Sequence, residues 1–151
     1  MMKRCIYFFL LISLPLPAVA QQKPKGIWPF RINRFDKEGR FQGRWKVRVG
    51  DEKTLVRNGR FRHGREVGTW KYYYPSGKLL MVEKHKRNLD YILVKRYHEN
   101  GKLAKEGQAR LVTSGNVVRY FWFGDWKVYD EHGKFSHREY YEDGNEISLN
   151  L

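Results

Sequence analysis

The sequence predicts an all-β fold: an antiparallel meander of repeated β-hairpins in an elongated single-layer sheet. Three observations carry this expectation. Aromatic residues make up 16% of the 151-residue chain, fourteen glycines punctuate it, and the two residue types keep a fixed spacing to one another. Aromatic and β-branched side chains suit a pleated surface, and glycine supplies the turns between strands. With 41% hydrophobic and 30% charged residues, the chain is too apolar for a wholly disordered tail and too charged for a multi-span membrane protein. Its length suits one small domain.

The first twenty residues read as a targeting segment. Lys3 and Arg4 precede an apolar run from Cys5 to Leu16, interrupted by Ser13 alone; Pro15 and Pro17 end it, and Ala18-Val19-Ala20 offers the small side chains of a signal-peptidase site. Residues 1–20 are therefore expected to be a signal peptide. The alternative, an uncleaved anchor, suffers from a run shorter than the ~20 apolar residues of a membrane span. Cleavage after Ala20 would remove Cys5, the single cysteine, so the mature chain would hold no disulfide, cysteine-ligated zinc or thiol nucleophile. Gln21 follows the small-residue motif where a lipoprotein would need cysteine. Loss of Lys3 and Arg4 lowers the net charge from +14 to +12, so the positive charge belongs to the exported part. Residues 21–29 form a polar, Pro-containing lead-in, and 30–151 the repeat domain.

Within that domain, an aromatic stands four residues before each of Gly39, Gly77, Gly101, Gly133 and Gly144 (Phe35, Tyr73, Tyr97, Tyr129 and Tyr140). After the first four of these glycines come a basic residue (Arg40, Lys78, Lys102, Lys134) and then an apolar one (Phe41, Leu79, Leu103, Phe135). Asn58-Gly59-Arg60-Phe61 reads as a further turn. A second register overlies the first: Gly43-Arg-Trp45-Lys46, Gly68-Thr-Trp70-Lys71 and Gly124-Asp-Trp126-Lys127 share a Gly-x-Trp-Lys pattern, and Trp70 and Trp126 lie seven residues before a turn glycine. The unit Gly-x-Trp-Lys-x-x-Tyr-x-x-x-Gly-Lys-Leu is an outgoing strand, a tight polar turn and a return strand. Glycine at the end of the turn accepts a positive φ that a β-carbon resists.

This unit resembles the MORN repeat, more closely its bacterial variant, with the best matches at Gly68-Thr-Trp-Lys-Tyr-Tyr-Tyr-Pro-Ser-Gly-Lys-Leu79 and Tyr97-His-Glu-Asn-Gly-Lys-Leu103. The resemblance runs over residues 30 to 147 with gaps. Glu52 stands where the Trp45 unit should have its turn glycine, Val94 replaces Trp in the Gly101 unit, and Gly107 to Phe123 reads as an insertion. The resemblance implies a sheet of hairpins with a binding or scaffolding role and no catalytic residues.

Trp70 and Tyr73, like Trp126 and Tyr129, are three positions apart, and strict pleating sends them to opposite faces. Either a bulge intervenes or both faces carry aromatics. Lys46, Lys71 and Lys127 follow the repeat tryptophans and Lys95 follows Val94, so strand pairing would align a row of cations opposite the tryptophans. Arg57, Arg60, Arg62, Arg65 and the run Lys84-His85-Lys86-Arg87 add positive charge.

Candidates for catalysis fail on composition. Gly77-Lys78 lacks the earlier glycine and the following Ser or Thr of a phosphate loop, because Tyr72 and Leu79 stand there. His132 and His137 flank the Gly133 turn without a third metal ligand, Asp143-Gly-Asn-Glu146 reads as a turn, and no nucleophile elbow occurs. The expectation is a non-enzyme without cofactor or metal, with Lys46, Lys71, Lys95, Lys127, Tyr73, Tyr97 and Tyr129 as candidate binding residues. The first partner expected is a protein at the bacterial envelope, in the periplasm, at the outer membrane or outside the cell. The alternative is an anionic lipid, lipopolysaccharide or acidic glycan held by the cationic face. Nucleic acid is not expected in that compartment, and the sequence does not specify an oligomeric state. Against a polyanion ligand stands the reading that the lysines form a solvated face that keeps a flat sheet from pairing edge to edge.

Overall fold

The computed structural model describes residues 27, 31–50, 53–115 and 117–147. The expected signal peptide, most of the lead-in and Glu52 lie outside the described residues. Among the described residues, ten strands form one antiparallel sheet in strict chain order: β1 (Arg34–Phe35), β2 (Phe41–Val49), β3 (Thr54–Arg62), β4 (Arg65–Tyr73), β5 (Leu79–His85), β6 (Ile92–Tyr97), β7 (Leu103–Ser114), β8 (Val117–Tyr129), β9 (Phe135–Glu142) and β10 (Asn145–Ile147). No helix occurs among the described residues. This is the all-β hairpin meander expected.

Four of the turns are the same turn. In each, the residue after the aromatic accepts through its carbonyl from the glycine N–H and donates its own N–H to the residue after the glycine: Asp36 with Gly39 and Arg40, Tyr74 with Gly77 and Lys78, His98 with Gly101 and Lys102, Asp130 with Gly133 and Lys134. All four glycines have φ between 75° and 86°, where a side chain would strain the backbone. The last three turns are also stitched to one another. Tyr74 Oη donates to the Tyr97 carbonyl at 2.8 Å, His98 Nε2 to the Tyr129 carbonyl at 3.0 Å, and Asn100 Nδ2 to the Glu131 carbonyl at 2.7 Å.

Two expectations are corrected. Asn58-Gly59 is no turn: it lies inside β3, and the β2–β3 connection is made instead by Gly50, whose carbonyl accepts from Lys53. Residues Gly107 to Phe123 are no separate insertion either. They extend the β7–β8 hairpin beyond its neighbours, closing at Gly115. The bulge-or-both-faces question has a double answer. Tyr72 pairs with Met81 while Tyr73 pairs with Leu79, so Leu80 is the extra residue, and Ala104 and Ser136 take that place in the later units. The bulge therefore sits on the return strand, and the aromatic keeps its alternation and lands opposite the tryptophan.

Every buried apolar residue of the two core clusters lies on the tryptophan face. One cluster joins Trp45, Phe61 and Trp70, with Phe35 and Tyr72 against it; the other joins Ile92, Val94, Ala109, Trp126 and Tyr141, with Met81 and Trp122. Trp70 and Trp126 are both 0% exposed. A single layer achieves this because the sheet curls over that face. The Tyr120 hydroxyl on β8 donates to Glu83 Oε1 on β5 at 2.6 Å. Laid flat, with strands about 4.8 Å apart and residues about 3.3 Å apart along a strand, these positions would be separated by roughly 25 Å.

Candidate functional site

The cations align as expected. Pairing across successive strands places Lys46, Asn58, Lys71, Val82, Lys95, Glu106, Lys127 and Arg138 in one row, on the face opposite the tryptophans. Successive lysines occupy alternate strands, about 9.5 Å apart. That spacing is close to the Debye length of about 8–10 Å at physiological ionic strength, so salt screens their mutual repulsion. The four lysines are exposed. Their charge is not evenly free. Lys95 Nζ lies 3.0 Å from Glu106 Oε2 and Lys127 Nζ 3.7 Å from Oε1, whereas Lys46, Lys71 and Arg138 have no ion pair among the described residues. The hydrogen bond with Glu106, outweighing desolvation, raises the pKa of Lys95, and its counterpart lowers that of Glu106.

Tyr73, Tyr97 and Tyr129 share this face because each stands two residues after a row lysine. They are half-buried supports more than free contact points. Tyr73 Oη accepts from Asn58 Nδ2 at 3.2 Å, and Tyr129 Oη donates to Glu106 Oε1 at 2.8 Å. A groove of about 280 Å³ runs beside the row between Lys84, Lys95, Lys127 and Arg138, floored by Val82 and Gln108. A larger cavity of about 1090 Å³ gathers Arg44, Lys46, Arg60, Arg65, Lys86 and Arg87 around the first half of the sheet. Arg44 and Arg60 stand directly opposite one another. Like charges in that position cost stability, although the cavity is also lined by Glu66 and Asp90.

On the tryptophan face a repeated triplet explains two glycines that are not in turns. Trp70 lies over Gly59, and Trp126 over Gly107; a β-carbon on either glycine would fall inside the indole ring's contact distance. The next strand carries a glutamate opposite each tryptophan, Glu83 and Glu139. Glu139 is neutralised by Lys105 Nζ at 2.6 Å and accepts from Tyr141 at 2.7 Å. Glu83, 3% exposed, is held differently: Tyr72 donates to Oε2 at 2.7 Å and Tyr120 to Oε1 at 2.6 Å. Burial pushes the Glu83 carboxyl up, and its contacts with His85 and the two phenols more than reverse this. Burial and the neighbouring Glu83 charge push both phenols above their ordinary range. Glu66, on the same face, pairs with Arg57 at 2.8 Å, yet burial keeps its carboxyl raised.

Sequence reasoning missed this Glu66–Glu83–His85 group. The available signal was Glu83 itself, a lone carboxylate after Leu79-Leu-Met-Val, with His85 on the same face by period two. His132 and His137, the histidines singled out from sequence, are exposed; His137 lies 3.4 Å from Glu139, and neither belongs to a group of three ligands among the described residues.

A third feature is a hairpin end that is apolar on both faces, with Leu111 and Val118 on the tryptophan face and Val112 and Val117 on the other. The free end of the β7–β8 hairpin exposes Leu111 (56%), Val112, Val117 (59%) and Val118, with Arg110 packed over Phe123 and Arg119 over Phe121 at its base.

Residues 66–86 and 92–109 match the family model described as MORN repeat variant. The first match covers the β4–β5 hairpin and the second β6 with half of β7. No curated protein and no solved structure matches the chain.

Proposed function

From the premise that this is a MORN-variant repeat protein, and hence a repeat-built binding module, we propose that it is exported and that its lysine-bearing face holds an anionic partner at the bacterial envelope. The partner class is anionic lipid, lipopolysaccharide or acidic glycan. One observation supports this above the others: the pairing register carries Lys46, Lys71, Lys95, Lys127 and Arg138 into a single row. Sequence alone ranks a protein partner first; the engaged hydroxyls of Tyr73 and Tyr129, and the ends of Lys46 and Lys71, which have no ion pair among the described residues, favour the electrostatic reading. Export rests on the leader pattern of residues 1–20. Non-enzymatic action rests on the repeat architecture.

The test is binding of the mature chain to a sulfated glycan and to vesicles containing anionic lipid, over a series of salt concentrations. Affinity should fall steeply as salt rises. Lys46→Gln and Lys71→Gln should each weaken it about fivefold, the equivalent of about 1 kcal/mol per surface cation. Binding indifferent to both substitutions refutes the reading. A second reading, a protein partner seated on the hairpin end, is favoured by the exposure of Leu111, Val117 and Val118. Its mark is salt-insensitive binding abolished by Val117→Ser with Val118→Ser.

A further inference from the structure

We propose that Glu66, Glu83 and His85 form a divalent-metal site of two carboxylates and one imidazole, suited to Zn²⁺. Its remaining coordination positions face the cavity of about 900 Å³ that these residues line together with Tyr72, Tyr120 and Phe61.

Four features carry it. The first is ligand geometry. His85 Nε2 lies 3.6 Å from Glu66 Oε2 and 3.8 Å from Glu83 Oε2, and all three ligand atoms fall within 4.8 Å of one another. Zinc bonded at about 2.0–2.2 Å to tetrahedral ligands separates them by about 3.4 Å, so a shift of a few tenths of an ångström closes the first two separations. The second is the state of His85 Nε2, which is buried and has no hydrogen-bond partner among the described residues. Both separations are too long for an N–H···O bond, so the nitrogen points between two oxygens without being satisfied by either.

The third feature is charge, read against the protein's own second copy of the motif. Buried Glu139 has a lysine ammonium on it, whereas the equivalent Glu83 has no Lys or Arg partner among the described residues; the nearby guanidinium, Arg57, is taken by Glu66 Oε1. A buried carboxylate calls for a cation or a metal. The fourth is the surrounding support. Tyr72 and Tyr120 orient Glu83, and Arg57 holds Glu66 by Oε1, leaving Oε2 toward His85. Hydrogen-bonded carboxylates of this kind are what a metal's outer shell provides. The ligand set of nitrogen and oxygen, without thiolate, suits zinc, with the open cavity side leaving room for water.

The rival occupant is a proton on His85, and experiment separates the two. The mature chain, stripped with chelator and dialysed, is titrated with Zn²⁺ against a chromophoric chelator, and with Co²⁺ while its visible spectrum is recorded. The expected result is one equivalent bound, a Co²⁺ spectrum of low coordination number, and a raised melting temperature with Zn²⁺. His85→Gln and Glu83→Gln should each weaken binding at least tenfold, and Tyr120→Phe, which acts through Glu83 as a positioning residue, about 10–100-fold. His132→Ala with His137→Ala should leave it unchanged. Circular dichroism reports whether each variant is folded; if the Glu83 or His85 variant is not, X-ray absorption of the wild-type zinc protein decides, with one imidazole and oxygen ligands expected. No stoichiometric uptake by the folded wild type, or uptake that follows His132 and His137, overturns the proposal.

Discussion

Gly59→Ala tests the central packing idea, that a strand glycine exists to seat a tryptophan. An ideal β-carbon on Gly59 would lie 2.6 Å from Cγ of Trp70 and closer still to Cδ2 and Cε2. Non-bonded carbons rest at about 3.5–4.0 Å, so the indole must move by about 1 Å or more. It has nowhere to go: Trp70 is fully buried, with the Phe61 ring centroid at 4.8 Å and the Arg57 guanidinium at 4.9 Å. Overpacking costs about 1–3 kcal/mol and outright loss of a core tryptophan about 3–5. Restricting the unfolded chain returns about 0.4–1 kcal/mol. The net expectation is a loss of about 2–3 kcal/mol, or roughly 6–15 °C in melting temperature. Urea unfolding followed by far-ultraviolet circular dichroism measures it without relying on tryptophan emission. The same glycine change in a Trp70→Ala background should cost almost nothing, a coupling of about 2 kcal/mol. Gly77→Ala is the control: its β-carbon would meet nothing within 4 Å, so it should lose only the about 1–2 kcal/mol of left-handed backbone strain and show no coupling to Trp70. A neutral Gly59→Ala, or an equal cost with and without Trp70, would refute the argument.

Three further outcomes follow from the same geometry. Glu106→Gln removes the one carboxylate in the cation row and should tighten binding to a sulfated glycan while steepening its salt dependence, measured by titration at several ionic strengths; unchanged affinity would show that Lys95 and Lys127 stand outside the binding surface. Desolvation pushes the Asp36 carboxyl up, but hydrogen bonds from the Arg40 backbone and guanidinium outweigh it and leave a pKa of about 2. Because this lies below the unfolded value near ~3.9, the contribution to the first turn is complete above that pH and disappears as pH falls toward about 2; carboxyl NMR titration checks it, and titration near ~4 would contradict it. Tyr72 and Tyr120, whose hydroxyls are desolvated and donate to Glu83, should stay protonated above the ordinary tyrosine value near pH ~10. Any stability they add is present below that pH and lost only at higher alkalinity, so absorbance at alkaline pH should show a delayed class of phenols.

Much of the fold is legible in the chain because its determinants are local. Phe35, Tyr73, Tyr97 and Tyr129, each four residues before a glycine of positive φ, mark four identical turns, and period two places Lys71 opposite Trp70. Gly59 misleads for the same reason. Asn-Gly is a strong local turn signal, and what overrides it is Trp70, eleven residues away in sequence and directly above it in space. The β7–β8 extension misleads because a long hairpin breaks the repeat spacing without breaking the pairing. The cation row was half legible: alternation puts each lysine on one face, but whether Lys46 and Lys127 share a row depends on bulges at several strand pairs, which no single segment specifies.

The sequence by itself determined the hairpins, their turns and the segregation of tryptophan from lysine, since these follow from backbone sterics and pleating within about a dozen residues. Only the tertiary structure decided how the sheet curls. That curl brings Tyr120 onto Glu83 across two intervening strands and leaves Glu66, Glu83 and His85 facing one cavity. The physical reason is that twist and bulges accumulate strand by strand into a curvature. Burial and charge pairing on the inner face depend on that sum and on no residue alone.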